Sequence, residues 1–391
     1  MIPYGRHHID ESDIAAVSDL LRGGMLTQGP MVEAFEQAIC DYTGARFAVA
    51  VSSATAGLHL AAVAAGVGPG TSLVTSPITF VASSNAALYA NGRPLFADID
   101  PATINLSPQR LEEILALHPE TRAVVPVHFG GLPCDMPAIK AVADKAGAHV
   151  IEDGAHALGG RYLDGSRIGN NSNADMTVFS FHPVKAIAAG EGGIVTTNDE
   201  ALYRRLIRLR SHGINKLDDP FELPEQAFTD GAQNPWYHEM QELGYHYRIT
   251  DIQCALALSQ LKKLDSFIAR RRQLAIDYDA DFAGFENLRP AQPPEGRDLS
   301  GHHLYVVRID FDKIGKTRGA VMLELRERGI GSQVHYIPVP AQPVYRRLQM
   351  RPEDYPNAME YYHQALTIPL FYDLSDEQRQ SVVGALRDVV G

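Results

Sequence analysis

Val150-Ile-Glu-Asp-Gly-Ala-His-Ala-Leu-Gly159 is an apolar run that ends in two acids, a glycine and a histidine. An acid placed directly after a buried strand has to be paired or hydrogen-bonded to be tolerated. The same strand-then-polar-turn pattern recurs on both sides of it. Short β-rich apolar runs occur at Phe47–Ser52, Ser72–Thr75, Pro94–Asp98, Ala123–Val127, Ala148–Ile151, Thr177–Phe181 and Gly193–Thr196. Helix-like segments lie between several of them, at Ala56–Gly66, Ala82–Ala90, Ser107–Leu117 and Met136–Ala146. Strands apolar almost throughout, joined by crossover helices, predict an α/β fold with a mostly parallel central sheet flanked by helices. The last strands follow one another without full helices, so one antiparallel strand is expected there.

The pattern changes after Thr250. Asp251–Arg272 reads as one long helix, with Ile252, Ala255, Leu256, Leu258, Leu261 and Leu264 on its apolar side. A Pro/Gly/Glu-rich stretch, Pro290–Arg297, precedes an expected strand at His303–Ile309, a helix at Gly319–Arg328, a strand at Ser332–Tyr336 and a helix at Asp376–Val389. A chain of 391 residues exceeds the usual size of one core. The expected division is a large domain over 1–250 and a smaller C-terminal α+β domain over 251–391. Lys216–Glu242 is polar and Pro-rich and reads as a long loop, a length that usually serves function or motion.

A net charge of -12 argues against nucleic acid or an anionic membrane as the main partner. It leaves room for an anionic small molecule bound by local backbone donors. Cys40, Cys134 and Cys254 lie far apart and show no metal spacing, which fits reduced thiols. No apolar run approaches the roughly 20 residues needed to span a bilayer, and no signal core opens the sequence, so a cytoplasmic protein is expected. The pairs His7-His8 and His302-His303 do not make a metal site, because neighbours in a strand face opposite sides.

An open parallel sheet holds its ligand at the carboxyl ends of its strands. Three stretches fall there. Val51-Ser-Ser-Ala-Thr-Ala-Gly-Leu58 runs from a strand through small and hydroxyl residues into a helix, which suits a phosphate or equally a plain helix cap. Glu152-Asp-Gly-Ala-His156 offers carboxylates that are either functional or solvated at a turn. Phe179-Ser-Phe-His-Pro-Val-Lys185, followed by Gly190-Glu-Gly-Gly193, puts a lysine after an apolar strand, where it is either a surface residue or a desolvated nucleophile. Together they suit one cofactor. Pyridoxal 5'-phosphate (PLP) needs a lysine for its aldehyde, a carboxylate at its pyridinium nitrogen and donors for its phosphate.

The chain resembles the DegT/DnrJ/EryC1/StrS family of sugar aminotransferases, which have the fold-type I PLP architecture. The motifs are Leu26-Thr-Gln-Gly29, Ser53-Ala-Thr55, Thr75-Ser-Pro-Ile-Thr-Phe-Val-Ala82, Asp98-Ile-Asp100, Val125-Pro-Val-His-Phe-Gly130, Glu152–His156, Phe179–Lys185, Glu191-Gly-Gly193, Leu209-Arg-Ser-His-Gly213, Gly244–Arg248 and Val334-His-Tyr336. In detail it is most similar to the C4 aminotransferases of pseudaminic-acid biosynthesis, through LTQG, SSATAGL, SFHPVK and QVHYIPV. The resemblance implies transfer of an amino group from L-glutamate to the C4 ketone of a UDP-4-keto-6-deoxy-N-acetylhexosamine, giving a UDP-4-amino-4,6-dideoxy-N-acetyl-β-L-altrosamine. Related branches act at C3 or on dTDP sugars.

By the same resemblance, Lys185 and Asp153 are the catalytic pair, Lys185 at the aldehyde and Asp153 at the pyridinium nitrogen. His156 would lie near the ring's phenolic oxygen, Phe80 would stack on the ring, and Ala54, Thr55 and Ser180 would bind the phosphate. Tyr4, Gly24, Met25, Leu26, Thr27, His335, Tyr336, Ile337 and Pro338 match segments that touch the nucleotide sugar. His246 stands where the family usually has Asn, a residue that reaches into the partner subunit's cofactor site, so a homodimer with shared sites is implied. A sugar dehydratase is disfavoured because such relatives replace the lysine with histidine. A non-catalytic regulatory protein is disfavoured because lysine, carboxylate and phosphate cradle are all present.

Overall fold

The computed structural model describes residues 1–216 and 219–391. Two helices open the chain, α1 (Glu11–Gly23) and α2 (Pro30–Thr43). Asp10 and Asp13 form a reciprocal capping box at the start of α1, and α2 begins at Pro30 and ends at Gly44, whose φ is 84°. The elements β1 (Phe47–Val51), α3 (Ala54–Ala64), β2 (Ser72–Thr75), α4 (Ala82–Tyr89), β3 (Arg93–Phe96), α5 (Pro108–Leu117), β4 (Thr121–Val125), α6 (Met136–Ala146), β5 (His149–Asp153), β6 (Met176–Ser180), β7 (Gly193–Thr197) and α7 (Glu200–Arg210) follow.

The seven strands form one sheet in the order β1-β7-β6-β5-β4-β2-β3. All pairings are parallel except those of β7, which runs antiparallel to both β1 and β6. Successive strand residues serve opposite faces. In β1, Ala48 and Ala50 join the core beneath α2, α5 and α6, while Val49 and Val51 join the core beneath α3, α4 and α7. Covering both faces is what makes these strands apolar throughout.

Among its described residues, the expected long loop after α7 carries only two-residue strands and one turn of helix: β8 (Ile214–Asn215), α8 (Pro224–Ala227), β9 (Phe228–Thr229), β10 (Ala232–Gln233) and β11 (Glu239–Met240). Leu217 and Asp218 of that stretch lie outside the described residues.

The single helix expected over Asp251–Arg272 is two helices, α9 (Asp251–Leu261) and α10 (Leu264–Asp281). They part at Lys262 and Lys263, and at this break Lys263 Nζ lies 2.7 Å from the buried Asp13 carboxylate of α1. Cys254, Ala257, Leu261, Leu264, Phe267 and Ile268 pack into the core of the large sheet. Further along α10, Leu274, Ala275 and Tyr278 enter a second core.

That core lies on an antiparallel sheet ordered β12 (Leu288–Pro290), β13 (Tyr305–Ile309), β14 (Ala365–Ile368). It is covered by α11 (Arg318–Glu327) and α14 (Asp376–Val390), and α12 (Pro343–Arg347) and α13 (Pro356–Gln364) complete the chain. The strand expected at Ser332–Tyr336 is not formed. Only Gln333 makes a bridge, to Thr367 of β14, and the chain then turns through Pro338 and Pro340. No helix among the described residues is long and apolar enough to cross a membrane.

Candidate active site

The carboxyl ends of β1, β5 and β6 meet at one edge of the large sheet. Strand alternation separates the two acids at the end of β5. Glu152 faces the α6 side, fully buried, and accepts hydrogen bonds from Tyr162 Oη at 2.6 Å and Thr177 Oγ1 at 2.7 Å. Asp153 faces the other way and accepts from Ser83 Oγ of α4 at 2.6 Å and from the Ala155 N–H at 3.1 Å. Of the two acids, Asp153 is the one whose charge acts on Lys185.

Lys185 follows β6 by five residues, on a turn closed by its own N–H to His182 O at 2.8 Å. Its side chain is half-buried, and its Nζ lies 3.3 Å from His303 Nε2. Burial pushes the amine down to about 8, against the opposing pull of the Asp153 charge. A lysine so placed holds roughly a tenth of its population as free amine at pH 7, far more than an ordinary lysine, and a free amine can act as nucleophile and as base.

Residues from beyond the large sheet close the other side. Tyr336 Oη sits 3.0 Å from His156 Nε2, the two rings nearly parallel at 6.1 Å between centroids. His335 Nδ1 pairs with Thr367 Oγ1 at 2.8 Å, and its ring meets Tyr4 at 5.4 Å. Phe80 faces Tyr336 at 6.4 Å and leaves 57% of its surface exposed, an open aromatic face beside Asp153 and Ser83. Burial, then the charge of Lys185, pushes the imidazoles of His156 and His303 well below their ordinary range, and the same two causes bring His335 to about 3. At neutral pH these histidines are uncharged hydrogen-bonding groups. Nδ1 of His156 and Nδ1 of His303 are both buried without a partner. A desolvated nitrogen with no partner is costly to keep unless a bound molecule meets it.

At the end of β1, Ser53 caps α3 by accepting from the Ala56 N–H at 3.1 Å. The first N–H groups of the helix, those of Ala54 and Thr55, have no intrahelical acceptor and carry the positive end of the dipole. Ser180 closes β6, and its Oγ accepts from His182 N at 3.4 Å.

The sequence pattern of the DegT/DnrJ/EryC1/StrS aminotransferase family matches residues 7–387. The chain belongs to that family. It is 41% identical over 393 residues to the spore coat polysaccharide biosynthesis protein SpsC of Bacillus subtilis (strain 168), covering 100% of this chain and 97% of SpsC. Its fold superposes on Helicobacter pylori PseC, described as an aminotransferase involved in the biosynthesis of pseudoaminic acid, with a TM-score of 0.89 and 29% identity over 100% of this chain and 99% of PseC. The PLP-form of the sugar aminotransferase Spr1654 from Streptococcus pneumoniae gives a TM-score of 0.88 at 29% identity, covering 100% of this chain and 98% of Spr1654. The protein is a PLP-dependent sugar aminotransferase with an alpha/beta fold-type I architecture.

Within this aminotransferase, hydrogen bonds and ring contacts link Phe80, Asp153, His156, Lys185, His335, Tyr336 and Tyr4 into one neighbourhood. Gly24–Thr27 lie apart from it, with Met25 and Leu26 exposed; the Leu26 carbonyl accepts from Asp251 N, and the Asp251 carboxylate accepts from Gly29 N and Met31 N. Ile337 is exposed, while Pro338 is buried where the chain turns toward α12. His246 is exposed, its ring 5.3 Å from that of His212. Two residues of the neighbourhood carried no sequence expectation of a role, Ser83 and His303. Ser83 lies just past the quoted Thr75–Ala82 stretch, within the helix-like segment expected at Ala82–Ala90 and about one turn beyond Phe80, where a hydroxyl can turn back toward the strand ends.

Proposed function

We propose that this sugar aminotransferase moves an amino group from L-glutamate to the C4 ketone of a UDP-linked 4-keto-6-deoxy-N-acetylhexosamine. The observation that carries the chemistry is Lys185, desolvated at the strand ends among Asp153, His303 and the Tyr336–His156 pair. Full-length similarity to PseC supports the pseudaminic-acid pathway, and the sugar and position follow from the motif resemblance.

The residues present fit PLP. Two buried imidazole nitrogens await partners, a helix N-terminus offers unpaired N–H groups, and an oriented carboxylate stands nearby. PLP, when bound, supplies an aldehyde that takes up amines and a protonated ring that withdraws electrons from the carbon losing its proton. Asp153, held by Ser83 and the Ala155 N–H, would keep the proton on the ring nitrogen. The N–H groups of Ala54 and Thr55 and the Ser180 hydroxyl would bind the phosphate. His156 would meet the phenolic oxygen through Nδ1, and Phe80 would cover one ring face. Lys185 would hold the aldehyde and, once free, carry a proton at Nζ to and from the reacting carbon.

Lysine and acid come from 1–250, and the residues proposed to contact the nucleotide sugar come from both parts of the chain, Tyr4 and Gly24–Thr27 from 1–250 and His335, Tyr336, Ile337 and Pro338 from 251–391. A homodimer in which His246 completes the partner's site is part of this reading. Exposed Met25, Leu26, Trp236, Met240 and Leu243 support a covered apolar face.

The test is the visible spectrum of the PLP-loaded protein before and after L-glutamate, followed by a panel of UDP- and dTDP-keto sugars. Loss of the yellow band with glutamate and its return only with UDP-4-keto sugars is the expected outcome. Return with dTDP or 3-keto sugars would overturn the substrate, and a band unmoved by glutamate would overturn the donor. Lys185→Ala should abolish both half-reactions while the protein remains folded. Sedimentation of a fully active monomer would refute the shared site.

A further inference from the structure

His303 lies outside every role assigned above, yet its Nε2 is 3.3 Å from Lys185 Nζ. It is 5% exposed and packs against His156 with 4.3 Å between ring centroids. Its loop, just before β13, is clamped to the large sheet's side. His303 N donates to Gly130 O at 2.9 Å and Gly301 N to Gly131 O at 2.9 Å. The neighbouring His302 is held by its own contacts, Nε2 to Arg297 O at 2.6 Å and N to Ser300 Oγ at 3.0 Å. Side chain and backbone are thus fixed independently of any ligand.

The charged and titratable groups facing His303 are Lys185, His156, Arg271 and His335, and Asp153 acts on Lys185 from the other side. Burial first, and then the positive charge of Lys185, keeps the His303 imidazole neutral. A neutral imidazole offers one donor and one acceptor nitrogen. It can accept at Nε2 from a lysine ammonium, or donate there to a lysine amine in the other tautomer. It therefore suits a partner that alternates between the two.

We propose that His303 is a positioning residue that holds the amine of Lys185 in one orientation, in both of its protonation states, whenever that amine is free of the cofactor. The proposal rests on Lys185 being the proton-carrying lysine. The transferred proton passes between Lys185 Nζ and the substrate carbon, and His303 keeps its own proton count throughout.

The test uses the full chain with His303→Phe, which keeps a ring but loses both nitrogens, and His303→Gln, which restores a polar group near Nε2. His303→Leu repeats the measurement if the phenyl ring does not fold. The first readout is cofactor-free: the pH midpoint for acylation of Lys185 in the apo-protein, followed by mass spectrometry. Losing a hydrogen bond to a charged group should lower that midpoint by about one unit. The second is the single-turnover half-reaction of the PLP-loaded protein with glutamate. Its maximal rate should fall on the order of tenfold, with the glutamate concentration dependence changed less than about threefold. His303→Gln should recover most of both.

An unmoved midpoint together with an unchanged rate in His303→Phe would overturn the proposal. So would equal slowing in His303→Phe and His303→Gln with no movement of the midpoint, since that reports packing alone. Failure of the underlying reading looks different: Lys185→Ala would then retain transamination, whereas a required Lys185 with silent His303 variants removes this inference alone.

Discussion

Replacing Gly131 by alanine tests how the loop carrying His303 is seated. Gly131 has φ of +107°, and a Cβ there would lie 2.6 Å from His302 N, 2.9 Å from Gly301 C and 2.9 Å from His156 O. All three are backbone atoms, so no side chain can rotate away. A non-glycine residue in this conformation costs about 1–3 kcal/mol, and overpacking adds about 1–3 kcal/mol. The expected loss is about 4 kcal/mol, a large share of the roughly 5–15 kcal/mol that holds a typical fold together. Gly147→Ala isolates the collision, because Gly147 also has a positive φ, +67°, but an added Cβ there meets nothing within 4 Å. It should cost only about 1–2 kcal/mol. Urea unfolding of both variants gives the difference as a shift in midpoint, about 1 M if the slope is about 3 kcal/mol/M. Equal midpoints for the two variants would refute the claim that the 301–303 loop presses on Gly131. The same displacement should carry His303 away from Lys185, so whatever Gly131→Ala protein folds should share the altered Lys185 titration of His303→Phe.

Ser83→Ala removes the 2.6 Å donor to Asp153, a bond to a charged group. At about 1.5–3 kcal/mol, it should weaken PLP retention on the order of tenfold in an absorbance titration, and an unchanged dissociation constant would refute its role. Lys185, at about 8 in the folded protein, binds fewer protons there than when unfolded between about 8 and its ordinary 10.5. The stability of the apo-protein relative to Lys185→Met should therefore rise with pH across that window, as read by thermal unfolding in a buffer series, and a fall would contradict the sign. Asp279 takes two 2.8 Å bonds from the buried Arg297 and one of 2.7 Å from Tyr305 Oη. Asp279→Ala should cost about 3 kcal/mol by leaving the guanidinium unpaired, and adding Arg297→Met should recover much of it; a loss below about 0.5 kcal/mol would show the pair to be solvent-screened.

What could be read from the sequence is what local pattern encodes. The strand ending at Asp153, the lysine after β6 and the cap at Ser53 each carry their signal within ten residues. Alternation puts Glu152 and Asp153 on opposite faces, but the choice of Asp153 comes from the family resemblance. The helices α1 and α2 had legible marks, Asp10 with Asp13 and Pro30 with Gly44, but were not assigned. Other features were not local. The break between α9 and α10 contains no proline or glycine to mark it, and the Asp13 that Lys263 meets there is 250 positions away. The strand β14 is four residues, all buried, with no alternation to reveal it. His303 belongs to an adjacent pair whose facing is decided by Gly130 and Gly131 on a distant loop. Adjacency alone could not say which histidine would meet the lysine.

The tie between α1 and α9 also bears on how the protein is made. Asp13 is fully buried, and Ser259 Oγ, Gln260 Nε2 and Lys263 Nζ all reach its carboxylate. Asp251 likewise receives Gly29 N and Met31 N. None of these partners exists when the first helices leave the ribosome. At about 5–20 residues per second, the amino-terminal segment waits on the order of 10–50 s for them. Strand β1 waits as well, because its only neighbour in the sheet is β7. The nascent chain thus exposes the edges of α1, α2 and β1 for much of its synthesis, and a chain stalled before residue 251 would leave Asp13 with only the Asp10 N–H of its own capping box.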